Sequence, residues 1–395
     1  MSELHIRVYQ KLEELEELRP AWDELLAEFS GASTFSTWEW LAPWWRAFGE
    51  RRELMALAFF EGSRLVGLAP LEVEKRRVAP GLTLHVLRLW GDGSGDSDNL
   101  DCPARAGYEA RLARGLVEYL QANQTRWDFC ELNTVPQDSA VGNCLVELLS
   151  EWKWTGFRRE RAALAISLPE TWEGYLAKIS AKERGKIAYY GNRLGKKYRA
   201  HFYKCEGRAN LPRSLHALFN LHQQRWQSVG KPGSFRSVAR RKFYGELSGL
   251  LVERKRLEFW LLELDGKPAA AQFGFRYGEA VSQLQEGYDP AYAAESVGYV
   301  LRAHVIRRLI ADGVRRYDFL AGEDASKLRW GARRGSYLDF HFAQPNTPGS
   351  VYLQMVNGAG KSKEWLRAHL PHHAWQLLHQ VNRRLRVNEP RLINS

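Results

Sequence analysis

The feature that most constrains this sequence is an order of elements that occurs twice. In each half, patterns of apolar residues predict a helix pair, three strands, a helix, a strand, a short helix and a final strand. The similarity is also local: FFEGSRLVGLAPL in the first half resembles LELDGKPAAAQFGF in the second, and WDFCELN resembles YDFLAGE. Generic α/β segments that align by chance are the alternative. The pattern predicts two α/β units that meet near residues 165–172.

Length, charge and cysteine usage narrow the class of protein. A chain of 395 residues exceeds a usual single domain, and its hydrophobic content of 45% is ample for packed cores. The net charge of +11 favours anionic ligands: phosphate-bearing cofactors, nucleic acid, acidic lipid or acidic polymer. No C-x-x-C pair, no apolar signal segment and no apolar run of about 18 residues occurs. We therefore expect a cytoplasmic protein with reduced thiols and no transmembrane segment.

Four segments of the second half carry a family resemblance. They are SAKERGKIAYYGNRLGKKY, HQQRW, WLLELDGKPAAAQFGFRYGEAV and YDPAYAAESVGYVLRAHVIRRLIADGVRRYDFLAGEDASKLRWG, which together span about residues 172–331. The chain thereby resembles tandem GNAT-superfamily acyltransferases, above all the CelD-like group associated with bacterial exopolysaccharide and cellulose synthesis, which is related to the FemABX peptidyltransferases. The last segment is the most specific. The first half resembles the family only in the order of its elements.

The resemblance implies a fold and a donor. The implied fold class is α/β (α+β), with two tandem GNAT-like domains, each a mixed, splayed sheet flanked by helices. These domains would cover residues 1–168 and 169–345, and a basic helical tail would cover 346–395. Family members are assigned as acyltransferases that mostly use acetyl-CoA or another acyl-CoA, without a metal, whereas FemABX relatives use aminoacyl-tRNA. The glycine-rich pyrophosphate loop typical of GNAT enzymes is absent, because the corresponding turn reads YDPAYAAESVG. The donor is therefore open.

Three residues are candidates for the chemistry. Acyl transfer to an amine or hydroxyl needs a base for the acceptor's proton, donors for the oxyanion and an acid for the leaving group. Glu286, near the end of a predicted strand, is the candidate base, and a carboxylate in a salt bridge is the alternative. Tyr288 is the candidate acid, although Tyr-Asp-Pro is also ordinary in turns. Asp318 would lie on the neighbouring strand, where pairing with an arginine is the structural alternative.

Two further groups are candidates for binding. The helix that starts at Ser296, Val297 and Gly298 offers free N–H groups and a positive dipole end to the phosphates of the donor, although simple helix entry explains it as well. Lys327, Arg329 and Trp330 follow the strand of Asp318, and they could bind an acidic or sugar-like acceptor or be merely solvated.

A cationic stripe is predicted on one helix over residues 178–197. Its members share one helical face: Lys178, Lys182, Lys186, Arg193 and Lys197. Most such stripes are solvated faces. Coenzyme phosphates, tRNA and an anionic membrane surface are the candidate partners.

Three other patterns are set aside. NGAGKSK lacks the first glycine of a phosphate-binding loop. The histidines near the C-terminus, His369, His372, His373 and His379, have no accompanying ligands at metal-site spacing, so no metal site is predicted. The tryptophans of TWEWLAPWWRAFG are expected to be buried beneath the first sheet rather than to stack on sugars.

Three functions follow as hypotheses. The leading one is an acyltransferase whose second half moves an acyl group to an amine or hydroxyl, including that of a saccharide or polysaccharide precursor. The first half would then be a degenerate copy, because the acidic loop around Asp96 and Asp98 would repel phosphate from its own cleft. The second is aminoacyl transfer from tRNA. The third is a non-catalytic scaffold in exopolysaccharide biosynthesis.

Overall fold

The alternating patterns of both halves fold into strands of one mixed sheet. A computed structural model describes residues 4–369, with helices on both faces of that sheet. The predicted tail is therefore described only to His369, and His372, His373 and His379 lie outside the described residues.

The first half contributes six strands and five helices. In chain order they are β1 (His5–Tyr9), α1 (Leu12–Glu16), α2 (Arg19–Glu28), α3 (Trp38–Phe48), β2 (Arg52–Glu61), β3 (Arg64–Ala79), β4 (Leu82–Leu89), α4 (Glu109–Ala122), β5 (Phe129–Pro136), α5 (Ala140–Glu151) and β6 (Thr155–Ser167).

The second half repeats the order of the strands, with two helices before its first strand and a terminal helix after its last. Its elements are α6 (Trp172–Lys178), α7 (Ala181–Lys197), β7 (Ala200–Lys204), α8 (Leu211–Ser228), α9 (Val238–Glu253), β8 (Leu257–Leu264), β9 (Lys267–Tyr277), β10 (Ala280–Tyr288), α10 (Val297–Ala311), β11 (Arg316–Ala321), α11 (Ala325–Leu328), β12 (Arg333–Ala343) and α12 (Pro348–His369).

The predicted two α/β units are confirmed as halves of one twelve-stranded sheet. Its strand order is β1-β2-β3-β4-β5-β12-β6-β11-β10-β9-β8-β7. The last strand of each half completes the sheet of the other half, because β12 pairs with β5 and β6 pairs with β11. β6 and β12 pair with each other at the centre, from Arg333 opposite Ala165 to Ala343 opposite Thr155. The predicted boundaries 1–168 and 169–345 therefore divide the chain into two halves, but they do not divide it into two separate sheets.

The sequence patterns missed three elements. β1 and β7 are the two outermost strands of the sheet, and each is five residues long. α9 was also missed, and it packs against α3 of the first half. Edge strands are half exposed, so their apolar alternation is weak and hard to recognise.

The aromatic segment of α3 is buried, as predicted. Trp40 and Trp44 are 0% exposed and Trp38 is 3% exposed. The ring of Trp40 lies 5.1 Å from that of Phe243 on α9 and 5.3 Å from that of Phe275 on β9. These aromatic contacts bury the face between the two halves, so the halves share one core.

The stretch that starts at Asn357 lies inside α12, so its backbone forms a helix rather than a phosphate-binding loop. Within residues 4–369, no helix is both long enough and apolar enough to cross a bilayer.

Candidate active site

A gap opens between β10 and β11. The two strands are parallel and pair over only three positions, from Ala280 opposite Arg316 to Ser282 opposite Asp318. Beyond Ser282, β10 continues to Tyr288 paired with β9 alone, and its register shifts at a bulge between Gln283 and Gln285. A bulge bends the strand that carries it. The prediction of a splayed sheet is thus confirmed in the second half.

The corresponding strands of the first half differ in detail. β4 and β5 also pair over three positions, beginning at Val86 opposite Phe129. However, β4 keeps an unbroken register with β3 from Leu89 to Thr83. The N–H of Leu100, in the loop after β4, donates to the Thr134 carbonyl on β5 at 3.2 Å. The chain's own backbone therefore occupies the edge of β5 here.

The edge of β11 presents two backbone groups to the gap. The N–H of Gly322 donates to Ala162 on β6, so the N–H and carbonyl of the preceding Ala321 face the other way, toward β10. The Ala321 N–H donates to Asp98 Oδ2 at 3.0 Å. Lys327 Nζ lies 3.0 Å from the Phe319 carbonyl oxygen and 3.5 Å from that of Ala321. A carboxylate and an ammonium thus sit together on the gap edge of β11.

Asp98 comes from the first half, in the acidic loop (residues 91–99). Asp96 of this loop accepts hydrogen bonds from Arg240 (2.8 Å) and Tyr244 (3.0 Å) on α9 and from Gln285 (3.3 Å) on β10. Three glycines at positive φ, at positions 91, 93 and 95, give the loop this path. The expectation that the acidic loop guards the first half's own cleft is therefore wrong: Asp96 and Asp98 contact the second half.

Glu286 points to the α10 side of the gap, where two guanidinium groups hold it. Arg302 of α10 donates to one carboxylate oxygen, and Arg225 of α8 lies 2.9 Å from the other. Arg302 is 11% exposed and packs between the rings of Phe319 (5.3 Å) and Trp330 (5.5 Å). Burial favours a raised pKa for Glu286, but the two arginines outweigh it and hold the pKa below its usual range. The structure thus shows the salt bridge that was the alternative to a general base.

The start of α10 is partly covered. The ring of Tyr288 lies 3.5 Å from where a Cβ on Gly298 would stand, and the Arg225 guanidinium lies 5.4 Å from the centre of that ring. Ser296 has a left-handed backbone (φ 50°), and its carbonyl accepts from the first turn of the helix. Val297 is buried. The ring of Tyr288 thus stands beside the first turn of the helix, where a phosphate would bind.

The remaining predicted residues separate into core and rim. Asp318 pairs with Arg316 (2.9 Å) and accepts from the Leu320 N–H (2.8 Å). The pairing with an arginine was the alternative to a catalytic role for Asp318. Trp330 is 3% exposed, and its ring lies 4.4 Å from that of Tyr299 in the core. Arg329 is exposed at the rim. Lys327 is half-buried, and burial lowers its pKa.

Sequence reasoning missed the contribution of α8. Gly287 of β10 has no room for a side chain, because a Cβ there would stand 2.4 Å from the His222 backbone nitrogen. This close approach brings Arg225 to Glu286. Burial lowers the pKa of His222 to about 4, so its ring is neutral, and Nε2 accepts from Trp226 Nε1 at 2.8 Å. A glycine inside a strand and the HQQRW segment were the available signals.

The predicted basic helix 178–197 is two helices. α6 ends at Lys178, and α7 begins after Ser180, whose hydroxyl accepts from the Glu183 N–H. The sequence Ser-Ala-Lys-Glu at residues 180–183 matches the signal for a helix N-terminus, so the single helix predicted for residues 178–197 is interrupted here. At the other end of α7, Lys197 (2.6 Å) and Arg193 (3.8 Å) bind the carboxylate of Glu295, just before α10. Part of the stripe is thus neutralised from within.

The sequence of the second half is similar to a known family. Residues 181–328 match the family described as an acetyltransferase (GNAT) domain. This stretch, from α7 to α11, is therefore similar to GNAT-fold acyltransferases. No curated protein matches the chain. Within the described part of the chain, no cluster of three or more His, Cys, Asp or Glu side chains could hold a metal ion.

Solved structures extend the likeness to both halves. A crystal structure of FemX has a TM-score of 0.60 at 11% identity, covering 86% of this chain and 98% of that one. A protein of unknown function from Bacteroides thetaiotaomicron VPI-5482 has a TM-score of 0.51 at 11% identity, covering 86% and 100%. The C-terminal domain of a protein assigned as a lysylphosphatidylglycerol synthetase from Agrobacterium fabrum has a TM-score of 0.51 at 11% identity, covering 86% of this chain and 95% of that one. At these identities the likeness shows the fold alone.

Proposed function

We propose that the second half is an acyltransferase that moves an acyl group from a thioester donor to an amine or hydroxyl acceptor. The observation that carries the proposal is the gap between β10 and β11, with the unpaired edge of Ala321 facing into it. On this side no strand pairs with Ala321, so an extended acyl carrier can lie along the edge beside the contacts that Asp98 and Lys327 make there. Two carboxylates and three cations surround this edge: Asp98, Glu286, Lys327, Arg225 and Arg302.

The two faces of the gap suit different substrates. On the α10 face, the first turn of α10 and the cations Arg193 and Lys197 would hold an anionic donor. On the α9 face, the acidic loop reaches the gap and would meet the acceptor. The ammonium of Lys327, which contacts the carbonyl oxygens of Phe319, Ala321 and Gly322, would stabilise negative charge on an acyl oxygen that comes beside it during attack.

Acyl-CoA fits this site in part. The gap and the helix N-terminus are present, but the first turn is partly covered by Tyr288 and the glycine-rich loop is missing. Glu295 also competes for the cations that would bind phosphate. We therefore expect acyl-CoA to bind weakly, and we place the CelD-like group and a saccharide acceptor within this proposal on the resemblance of residues 172–331.

The test is a calorimetric titration of the full chain with acetyl-CoA, followed by thiol release in the presence of glucosamine, lysine or glucose. The proposal predicts binding in the micromolar to millimolar range and acceptor-dependent release of free CoA. Neither binding nor release at about 5 mM donor, well above usual KM values, would remove acyl-CoA as the donor and would favour the scaffold hypothesis.

Exposed cations favour a second candidate, aminoacyl transfer from tRNA. Lys182, Lys196 and Arg329 are exposed and lie on or near the α10 face. A tRNA contact of this kind loses affinity steeply with salt. The test is filter binding with bulk tRNA between 50 and 200 mM NaCl, a range in which such contacts weaken by orders of magnitude. A steep fall in affinity over this range would support this candidate, and affinity that does not change with salt would count against it.

A further inference from the structure

Four carboxylates lie near the gap, and three of them are engaged. Asp96 is held by Arg240, Tyr244 and Gln285. Glu286 is held by Arg302 and Arg225, and its pKa is lowered, so it is a weak base. Asp318 uses one oxygen for Arg316 and the other for the Leu320 N–H. A general base needs a free lone pair and a pKa near the working pH. Glu286 is excluded by its lowered pKa, and Asp318 is excluded because both of its oxygens already accept hydrogen bonds.

Asp98 meets it. Its carboxylate is half-buried at the gap edge and accepts one described hydrogen bond, from the Ala321 N–H to Oδ2, which leaves Oδ1 available. Burial raises the pKa of Asp98 to about 6, and the Ala321 N–H offsets this only in part. A carboxylate of this kind is ionised at neutral pH yet basic enough to accept a proton.

We propose that Asp98, supplied by the first half, is the catalytic base of the second half and that the acceptor is a primary amine. The inference rests on the proposed acyltransferase function. It also assigns a role to the first half: this half delivers one carboxylate across the shared core, held in place by the bonds of Asp96 to α9 and β10.

The charges around Asp98 favour a cationic acceptor. The groups that face it are Lys327 on α11, Asp318 on β11, Arg161 on β6 and Tyr337 on β12. Arg161 is itself paired with Asp339 at 2.7 Å, and burial lowers the pKa of Lys327. The negative charge of Asp98 is thus only partly balanced by nearby cations, so it would attract an incoming ammonium, whereas a hydroxyl would gain no such attraction.

The step balances without a further reactant. The acceptor ammonium binds Asp98 and gives it one proton, which leaves a neutral amine. The amine nitrogen attacks the acyl carbonyl, its C–N bond forms and the C–S bond of the thioester breaks. The second proton of the nitrogen passes to the departing thiolate, so the products are an amide, a free thiol and the proton held by Asp98, which returns to solvent.

The test uses the full chain with acetyl-CoA and glucosamine, lysine or spermidine as probe amines. Asp98→Asn keeps an oxygen for the Ala321 N–H but cannot accept a proton. We expect it to lower kcat/KM by about 10²–10⁴-fold and to leave the Kd for acetyl-CoA within about twofold. The wild-type profile should fall tenfold per pH unit below about pH 6, and this limb should be lost in the variant. Asp98→Glu should recover part of the rate, and the exposed Asp138→Asn should behave as wild type.

The outcomes distinguish failure of the Asp98 assignment from failure of the proposed acyltransferase function. Transfer by Asp98→Asn within about threefold of wild type, with the acid limb retained, overturns the base assignment and leaves the acyltransferase standing. With glucose added as a hydroxyl probe, transfer to glucose but to none of the amines overturns the amine acceptor. If the wild type neither binds acetyl-CoA nor releases thiol, acyl-CoA is removed as the donor of the proposed function, and the inference fails with it. Equal melting temperatures of wild type and Asp98→Asn exclude a folding defect as the cause of any loss.

Discussion

The loss of stability on removing the ion pair between Glu286 and Arg302 can be worked out from the contacts of the two residues. Removing one partner of a buried pair usually costs about 3–5 kcal/mol, because the other charge stays buried without compensation. Here Glu286 is 29% exposed and keeps Arg225 at 2.9 Å, which reduces that cost. The guanidinium also packs on two aromatic rings, which adds about 0.5–1 kcal/mol. We therefore expect Arg302→Met to lower the free energy of unfolding by about 2–3 kcal/mol at pH 7.

The measurement is urea unfolding followed by tryptophan fluorescence and circular dichroism. Because the pKa of Glu286 is lowered in the fold, the stabilisation exists above the unfolded value of 4.5 and is lost as the pH falls through the folded value. The cost of Arg302→Met should thus shrink below about pH 4.5. The control is Arg208→Met, which breaks an exposed pair with Glu253 and should cost less than about 0.5 kcal/mol. A cost for Arg302→Met no larger than that of the control would refute the reasoning.

Two further predictions concern packing and a second buried charge. Gly287→Ala should cost about 1–3 kcal/mol in urea unfolding, because its Cβ meets the His222 backbone, whereas Gly245→Ala on α9 meets nothing within 4 Å and should not destabilise; equal effects would contradict the close approach. Burial raises the pKa of Glu72 to about 8, so this group should make the chain less stable as the pH rises from about 5 to 8, by up to about 1.4 kcal/mol per pH unit. Glu72→Gln should flatten that slope in urea unfolding at pH 5, 6.5 and 8, and an unchanged slope would contradict it.

The sequence predicted much of the architecture because the apolar periodicities are local. The duplicated order of elements, the burial of Trp38, Trp40 and Trp44, and the neighbouring positions of the strands that carry Glu286 and Asp318 are all confirmed. The exchange of β6 and β12 was not predictable from these patterns, because alternation states which face of a strand is buried but not which strand lies beside it. The break before α7 was predictable from Ser180 and Glu183, but the assumed helical period hid it.

The site was harder to predict because it is assembled by long-range contacts. Glu286 and Asp318 were placed correctly on neighbouring strands, and an ion pair was the stated alternative for each. Arg316 stands two residues from Asp318, whereas nothing local indicates that Arg302 and Arg225 would hold Glu286. Asp98 is 223 positions from Ala321 in the chain, and its loop sequence is typical of any glycine-rich surface turn. The packing of α3 on α9 and the bonds of Asp96 to α9 and β10 bring that loop to the second half.

The proposed function requires that the gap between β10 and β11 receives the acyl donor. The decisive measurement is hydrogen–deuterium exchange of the full chain, with and without acetyl-CoA at a concentration that saturates the calorimetric titration. We expect slower exchange in residues 283–288, 319–322 and 297–300, and unchanged exchange in β4, β5 and α4, the equivalent elements of the first half. Protection confined to the first half, or placed away from both parallel strand pairs, would contradict it.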